Sequence, residues 1–485
     1  MSDPASRANP SQRSRWPWFL VAGCLLIALI RLLLMLRNAV PSAQPGSADV
    51  PGQPSATGAG ALRVPKVAVA RLSRGRSNSE PAGTAEEIVA GKLVRFARSR
   101  REIVHGLARR VKVEVPDDVE RFFDAVEAGD WDQIKARFDA LKRGDGSASA
   151  DAPGRRPGME PLWPAILETY GTVEQAHAWP AQKFLDYGEA VLGSLRPGMV
   201  YVGGTDPGRF IPTLLNETGE GERHIVLTQN ALADNSYLDY INSLYADRFG
   251  TLASEDSQRA FQNYMADAQK RLLHDQQFPD EPKQIRPGED VKLIDGRLQV
   301  SGQIAVMAIN EILLQTLMAK NPDLSFALEE SFPLKSTYDG AVPIGPIMEL
   351  RAEDGQNALT AERVAQSLDY WRATTQQMLS DPESSGSPET LKSWSKMADG
   401  QANLFAERNY TGEAEQAYRL SMEMWPRNIE SVSGLSQLLV RTGRADEARR
   451  LVEDFARSHP DLSSALESLR PGIAVPTQPA LPSRP

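Results

Sequence analysis

The sequence predicts an α/β protein: a mixed, mostly parallel sheet with βαβ units, flanked by helical hairpins. Paired α-α repeats follow it, and one N-terminal transmembrane helix precedes it. Three observations carry this. Strand, helix, strand, helix alternate over residues 199–249, a 34-residue period recurs near the C-terminus, and residues 16–36 form one long apolar block. With 485 residues, at about 150 per domain, two to three domains are expected.

Composition removes several function classes. A net charge of −9 speaks against a dedicated nucleic-acid binder, so no nucleic-acid partner is expected. The single cysteine, Cys24, excludes a disulfide within the chain and any cysteine-based zinc site. His105, His177, His224, His274 and His459 show no H-x-x-x-H spacing, which removes the common metallohydrolase signatures. The sequence nominates no catalytic residue, no metal ligand and no cofactor.

Residues 16–36 are interrupted only by Arg31 and reach roughly 31 Å as a helix, about the hydrocarbon thickness of a bilayer. Trp16 and Trp18 mark one interface, and Arg31 and Arg37 can snorkel to the other. Arg7, Arg13 and Arg15 precede the block, whereas after Arg37 the next basic residue is Arg63. This asymmetry predicts a single-pass protein of the inner membrane, with residues 1–15 cytoplasmic and the bulk of the chain periplasmic. A retained signal anchor competes with a cleaved signal peptide and with a lipoprotein box at Val21-Ala22-Gly23-Cys24. The apolar run is too long for a signal peptide and continues past the cysteine, so the anchor is preferred.

Residues 37–85 read as a disordered linker; 41–65 alone hold five prolines and four glycines in 25 positions. Residues 86–142 read as a basic helix and a helical hairpin. Over 92–112, eight Lys/Arg stand against one Glu. Contact with anionic lipid or another envelope polyanion is one reading; a solvated face whose apolar stripe packs on the domain behind it is the other. The hairpin spans 116–141, with a turn at Gly129-Asp130, and a second linker covers 143–159.

The α/β domain is placed at 160–355. Met199 to Val202 and His224 to Thr228 read as buried strands, each followed by a polar loop and a helix. Asp295-Gly296 signals a hairpin between Val291 and Val300. A helix over 304–319 and strands near 326–328 and 347–350 complete it. In open α/β sheets ligands bind beyond the carboxyl ends of the strands. That nominates Gly203, Gly204, Thr205, Asp206 and Arg209 in the first loop, and Thr228, Asn230 and Asn235 in the second. The competing reading is purely structural: Asp206 as N-cap and Pro207 as first helical residue would simply start a helix. Asp206 would repel an anion there, so a hydroxyl-rich ligand such as a sugar fits better than phosphate. Glu329 and Glu330 are adjacent on a strand, point to opposite faces, and so form no acid/base couple.

Residues 356–465 read as helical, with the repeats at about 395–461 and a proline-rich disordered tail at 466–485. Ala414 and Ala448, and Pro426 and Pro460, lie 34 residues apart, and Phe405/Leu439 and Tyr418/Val452 match in type. The stretch resembles two tetratricopeptide repeats, with Gln401 departing where leucine is usual. Such repeats either present a groove to a partner or brace the α/β domain. Phe405, Tyr418, Leu439 and Arg444 are the candidate partner-binding residues.

The order YVGGTDPGRFIPTLLNE, HIVLTQNALADNSYLDYI, SEDSQRAFQNYMADAQKR, FALEES, GPIMEL and then the repeats resembles uncharacterised bacterial envelope proteins. It is also similar to the soluble tail of membrane O-mannosyltransferase-like proteins of the glycosyltransferase-C superfamily. Their catalytic residues sit in a multi-helix membrane module, which one apolar segment cannot supply. The resemblance implies a tail-like module that recognises a glycan, a lipid-linked sugar or an envelope protein. The expected function is a membrane-anchored, non-catalytic binding or assembly subunit. The alternative is an enzyme or sugar-binding protein of glycan or glycolipid metabolism, using loops 203–209 and 228–235.

Overall fold

The structure, a computed structural model, describes residues 83–143, 158–221, 223–286, 289–294, 297–350 and 358–462. The expected membrane segment 16–36, nearly all of both linkers, and the tail 466–485 lie outside the described residues. Among the described helices none is long and apolar enough to cross a membrane.

Three helices open the described chain: α1 (Ala85–Val111), α2 (Asp117–Ala128) and α3 (Trp131–Arg143). Thr84 and Glu87 close a capping box at the start of α1, and Gly129 in a left-handed conformation ends α2. The basic face of α1 is divided: Arg95, Arg98, Arg109, Arg110 and Lys112 are exposed, Lys92 and Arg101 are half-buried, and Arg100 is buried. Four of the eight basic residues at 92–112 reach groups on neighbouring helices: Lys92, Arg98, Arg100 and Arg101. Arg100 is 1% exposed and bridges Glu168 at 2.6 Å and Glu217 at 2.8 Å.

The α/β body runs α4 (Trp163–Ala178), α5 (Ala181–Leu192), β1 (Val200–Gly203), α6 (Asp206–Thr218), β2 (Ile225–Thr228) and α7 (Asn235–Tyr245). There follow α8 (Ser254–Gln277), β3 (Asp290–Ile294), β4 (Arg297–Ser301), α9 (Gln303–Lys320) and β5 (Phe326–Glu329). A 3-10 turn (Lys335–Gly340) then leads into β6 (Ala341–Ile344) and β7 (Ile347–Leu350). The main sheet has the order β2-β1-β5-β7-β6, and β3-β4 form a separate antiparallel hairpin with Ile294 opposite Arg297.

The sheet is mixed, as expected, but parallel and antiparallel pairings are equal in number. β1 pairs in parallel with β2 and β5, but β7 runs antiparallel to both β5 and β6. The cause is the β6–β7 hairpin, whose Gly345 adopts φ 61°: a strand returning through a tight turn must be antiparallel. The described residues are mostly helical around this small mixed sheet.

Side chains alternate across the pleat and divide the interior in two. Val200, Val202, Ile225, Leu227, Phe326 and Leu328 pack under α7 and α9, while Tyr201, Val226 and Ala327 pack against α5 and α6. Pro212 lies inside α6 and has no N–H for the Gly208 carbonyl one turn earlier. The Tyr201 hydroxyl donates to that carbonyl instead, at 2.6 Å, tying helix to strand.

The described residues end in helices: α10 (Ala361–Ser380), the short α11 (Pro382–Ser385), and two consecutive pairs. These are α12 (Pro388–Glu407) with α13 (Thr411–Met424), and α14 (Ile429–Arg441) with α15 (Ala445–Ser458). Ala414 and Ala448 are fully buried at equivalent places in α13 and α15.

Candidate functional site

The first nominated loop leaves β1 and enters α6. Its helix cap is Thr205, whose Oγ1 accepts from the Gly208 N–H at 3.0 Å, not Asp206 as expected. A threonine hydroxyl spans that gap as well as a carboxylate, so the helix starts at Asp206, one residue earlier than the cap assignment supposed. Asp206 then pairs one turn on with Arg209 at 2.7 Å, and Arg209 lies over its neighbour Phe210 at 4.1 Å.

The turn is a cradle of N–H groups at a helix N-terminus, and it holds a carboxylate from this chain. Glu329, at the end of β5, accepts from Gly204 N at 2.8 Å, Thr205 N at 2.9 Å and Thr205 Oγ1 at 2.8 Å. Two strand ends in parallel register place it there, since Gly203 stands opposite Glu329. The glycines are sterically required: a Cβ at Gly208 would come 1.9 Å from Glu329 Oε2, and one at Gly204 would come 2.3 Å from Ser331 N. Burial pushes the Glu329 carboxyl above its ordinary range, against the pull of these donors.

The second loop comes to the first. Asn230 Nδ2 donates to the Gly204 carbonyl and to Ser331 Oγ, both at 3.2 Å. Thr228 N donates to the Tyr237 hydroxyl at 2.7 Å. Asp234 caps α7 through Ser236 N and Tyr237 N, and Asn235, its first residue, is exposed. Between the loops and α4 lies a cleft of about 50 Å³, lined by Trp163, Glu168, Arg209, Phe210, Thr228 and Asp234 among others. Of the nominated residues, Arg209 and Thr228 reach this cleft. Gly203, Gly204, Thr205 and Asn230 are engaged in holding strand ends together.

A second polar cluster, not nominated as a site, lies where β5 and β7 meet α12. Glu330, on the opposite face from Glu329 as its place in the strand requires, accepts from the Tyr338 hydroxyl at 2.8 and 2.9 Å. Asn403 of α12 reaches it at 3.4 Å, and Tyr418 of α13 donates to Asn403 at 2.7 Å. Asp399 of α12 accepts from Ser431 of α14 at 2.7 Å, and Lys396 pairs with Glu430 at 3.0 Å. Burial pushes Glu330 up to about 8 and Asp399 up to about 7.

Gln401, the departure from the repeat pattern, sits 1% exposed in the same seam. Its Oε1 accepts from Trp371 Nε1 at 2.9 Å and from Ser367 Oγ, and its Nε2 donates to the Gly345 carbonyl at 2.9 Å and the Ile347 carbonyl at 3.1 Å. A polar residue at an apolar position of a periodic pattern was the one signal for this seam in the sequence. The partner-binding candidates Phe405, Tyr418 and Leu439 are 0%, 2% and 1% exposed, so their side chains belong to the core and present nothing to a partner. Arg444 alone reaches solvent, forked between Glu415 and Glu447.

No known protein family, curated protein or solved structure matches this chain.

Proposed function

We propose that this protein is a non-catalytic binding or assembly subunit of the cell envelope, held at the inner membrane by residues 16–36. On this reading its bulk lies in the periplasm, and its C-terminal tetratricopeptide-like helix pairs engage another envelope protein. The observation that supports it best is how the terminal helices are mounted. Gln401 hydrogen-bonds the β6–β7 turn and α10, so α12 is tied to the sheet, and the helices after it pack on in succession. The engagement of Gly204 and Thr205 by Glu329 points the same way, because it leaves the first loop structural.

The contact surface on this reading is the charged outer side of α13–α15 around Arg444, Glu447, Arg449 and Glu453, not the buried aromatic positions. Affinity capture from membranes tests it, comparing the wild-type chain with a variant that reverses those four charges. A partner lost on reversal is the expected result; identical captured sets would refute it. A periplasm-active reporter fused after Pro41 should be active, and an inactive fusion would overturn the topology.

A second reading, a sugar-binding site, has one observation in its favour. The two loops do meet, beside a cleft with aromatic walls, one arginine and two carboxylates. Saturable binding of a mono- or disaccharide, abolished by Arg209→Ala and Thr228→Val, would favour it. No response across a sugar panel would remove it.

A further inference from the structure

The seam between the sheet and the terminal helices is built from buried carboxylates with too little positive charge beside them. Glu330 leaves the end of β5 and is enclosed by the 3-10 turn, α12 and α13. Its direct partners are all neutral: the Tyr338 hydroxyl, Asn403 and the Leu334 N–H. The charged and titratable groups around it can be named element by element. The end of β5 brings Glu329, and the 3-10 turn brings Lys335, itself paired with Glu407. From α12 come Lys396, Asp399, Glu407 and Arg408, whose guanidinium bonds the Tyr338 carbonyl at 3.0 Å. α13 brings Tyr418. α14 brings Glu430, which takes Lys396, and Arg441, which bonds the Ala406 carbonyl.

Each cation is therefore already matched by an acid or committed to a carbonyl, while Glu330 faces the charge of Asp399, and Asp399 that of Glu430, which Lys396 offsets only in part. Water offers no relief in the closed seam. The cavity between Glu329, Glu330, Lys396, Gly400 and Gln401 holds about 10 Å³, at the lower limit for a single water. The backbone of α12 presses on the carboxylate as well, since a Cβ at Gly400 would stand 3.1 Å from Glu330 Cγ.

We propose that this seam is a proton-controlled latch. With Glu330 and Asp399 protonated, α12 is docked on the sheet; when both ionise, the seam opens to admit water and α12–α15 loosen from the α/β body. Two charges in a dry, cation-poor seam are tolerated only if hydrated, and hydration requires separation of the two walls. Gln401, four neutral hydrogen bonds at the far side of the same seam, is the hinge side that does not titrate. The consequence is a protein whose terminal helices are held rigidly at acidic pH and released as pH rises.

Amide hydrogen exchange on the full chain tests this at pH 6, 7.5 and 9, with rates corrected for their intrinsic pH dependence. Wild-type protection in α12 and the 3-10 turn should fall at least tenfold from pH 6 to 9, with α4 and α7 unchanged. In the Glu330→Gln/Asp399→Asn variant the same amides should stay protected at pH 9. Wild-type protection that is constant with pH overturns the latch, as does loss spread evenly over the chain, or a variant that loosens like wild type. If the variant does not fold, the wild-type profile decides by itself, since it already separates local from uniform opening.

Discussion

Gln401→Leu restores the residue that the repeat pattern favours, and the structure says it should destabilise the protein. The substitution leaves Ser367 Oγ and Trp371 Nε1 without their acceptor and the Gly345 and Ile347 carbonyls without their donor. Each buried group left unpaired costs about 1–3 kcal/mol, so four at the low end amount to about 4–6 kcal/mol. Burying a leucine returns about 2 kcal/mol. A net loss of about 3 kcal/mol follows, which with a urea m-value of about 3 kcal/mol/M shifts the midpoint by about 1 M. Equilibrium urea unfolding followed by tryptophan fluorescence measures it directly, because Trp371 and Trp394 lie in the seam. A double-mutant cycle sharpens the cause. Ser367→Ala should cost about 1 kcal/mol in the wild type and almost nothing in the leucine variant. If Gln401→Leu is as stable as wild type, or more so, the assignment of Gln401 as the clasp between sheet and helices is wrong.

Four further outcomes follow from the same geometry. Tyr201→Phe removes the donor that replaces the missing Pro212 N–H, and should cost about 1–3 kcal/mol in urea unfolding; no change would mean the Gly208 carbonyl is satisfied otherwise. Gly204→Ala drives a methyl into the Ser331 backbone and should cost about 3 kcal/mol or fail to accumulate, whereas Gly221→Ala, with open space around it, should be neutral. Arg100→Ala strands Glu168 and Glu217 beneath α1 and should cost about 3–5 kcal/mol; a thermal melt within a degree of wild type would contradict the buried pairing. Glu330 supplies a pH dependence whose sign is fixed. Its folded value of about 8 lies above the ordinary 4.5, so the folded state keeps a proton that the unfolded chain has released. Its contribution is complete below the ordinary value and is lost as pH rises through the folded one, at about 1.4 kcal/mol per pH unit within that window. Urea midpoints of Glu330→Gln at pH 5, 6.5 and 8 should therefore decline less than those of wild type, and equal slopes would refute the assignment.

Much of the fold is legible because local patterns are enough to write it. Met199 to Val202 and His224 to Thr228 read as strands from their apolar runs, and both belong to the sheet, joined through α6 as a parallel βαβ unit. The hairpin read from Asp295-Gly296 pairs in the register that a two-residue turn sets. The opposed faces of Glu329 and Glu330 follow from the period of a strand. The antiparallel direction of β7 and the existence of β6 were not legible: Pro343 lowers the strand signal there, and direction depends on how a hairpin returns. The site was legible only as a place. Strand ends pointed to loops 203–209 and 228–235, which do meet, but the occupant of the cradle is Glu329, some 125 positions along the chain.

The sequence by itself determined the elements whose causes are local: helix starts, turns, alternation in strands, and the 34-residue recurrence of Ala414 and Ala448. Tertiary structure alone decided which polar groups face water and which are matched inside. Thr205 with Glu329, Arg100 with Glu168, Glu330 with Asn403 and Gln401 with the β6–β7 turn all join residues distant in sequence. A residue's propensity carries no record of its eventual partner, and a buried polar group is stable only when that partner is present. That is why a glycine-rich turn that reads as a ligand site is, in the folded molecule, the seat of its own glutamate.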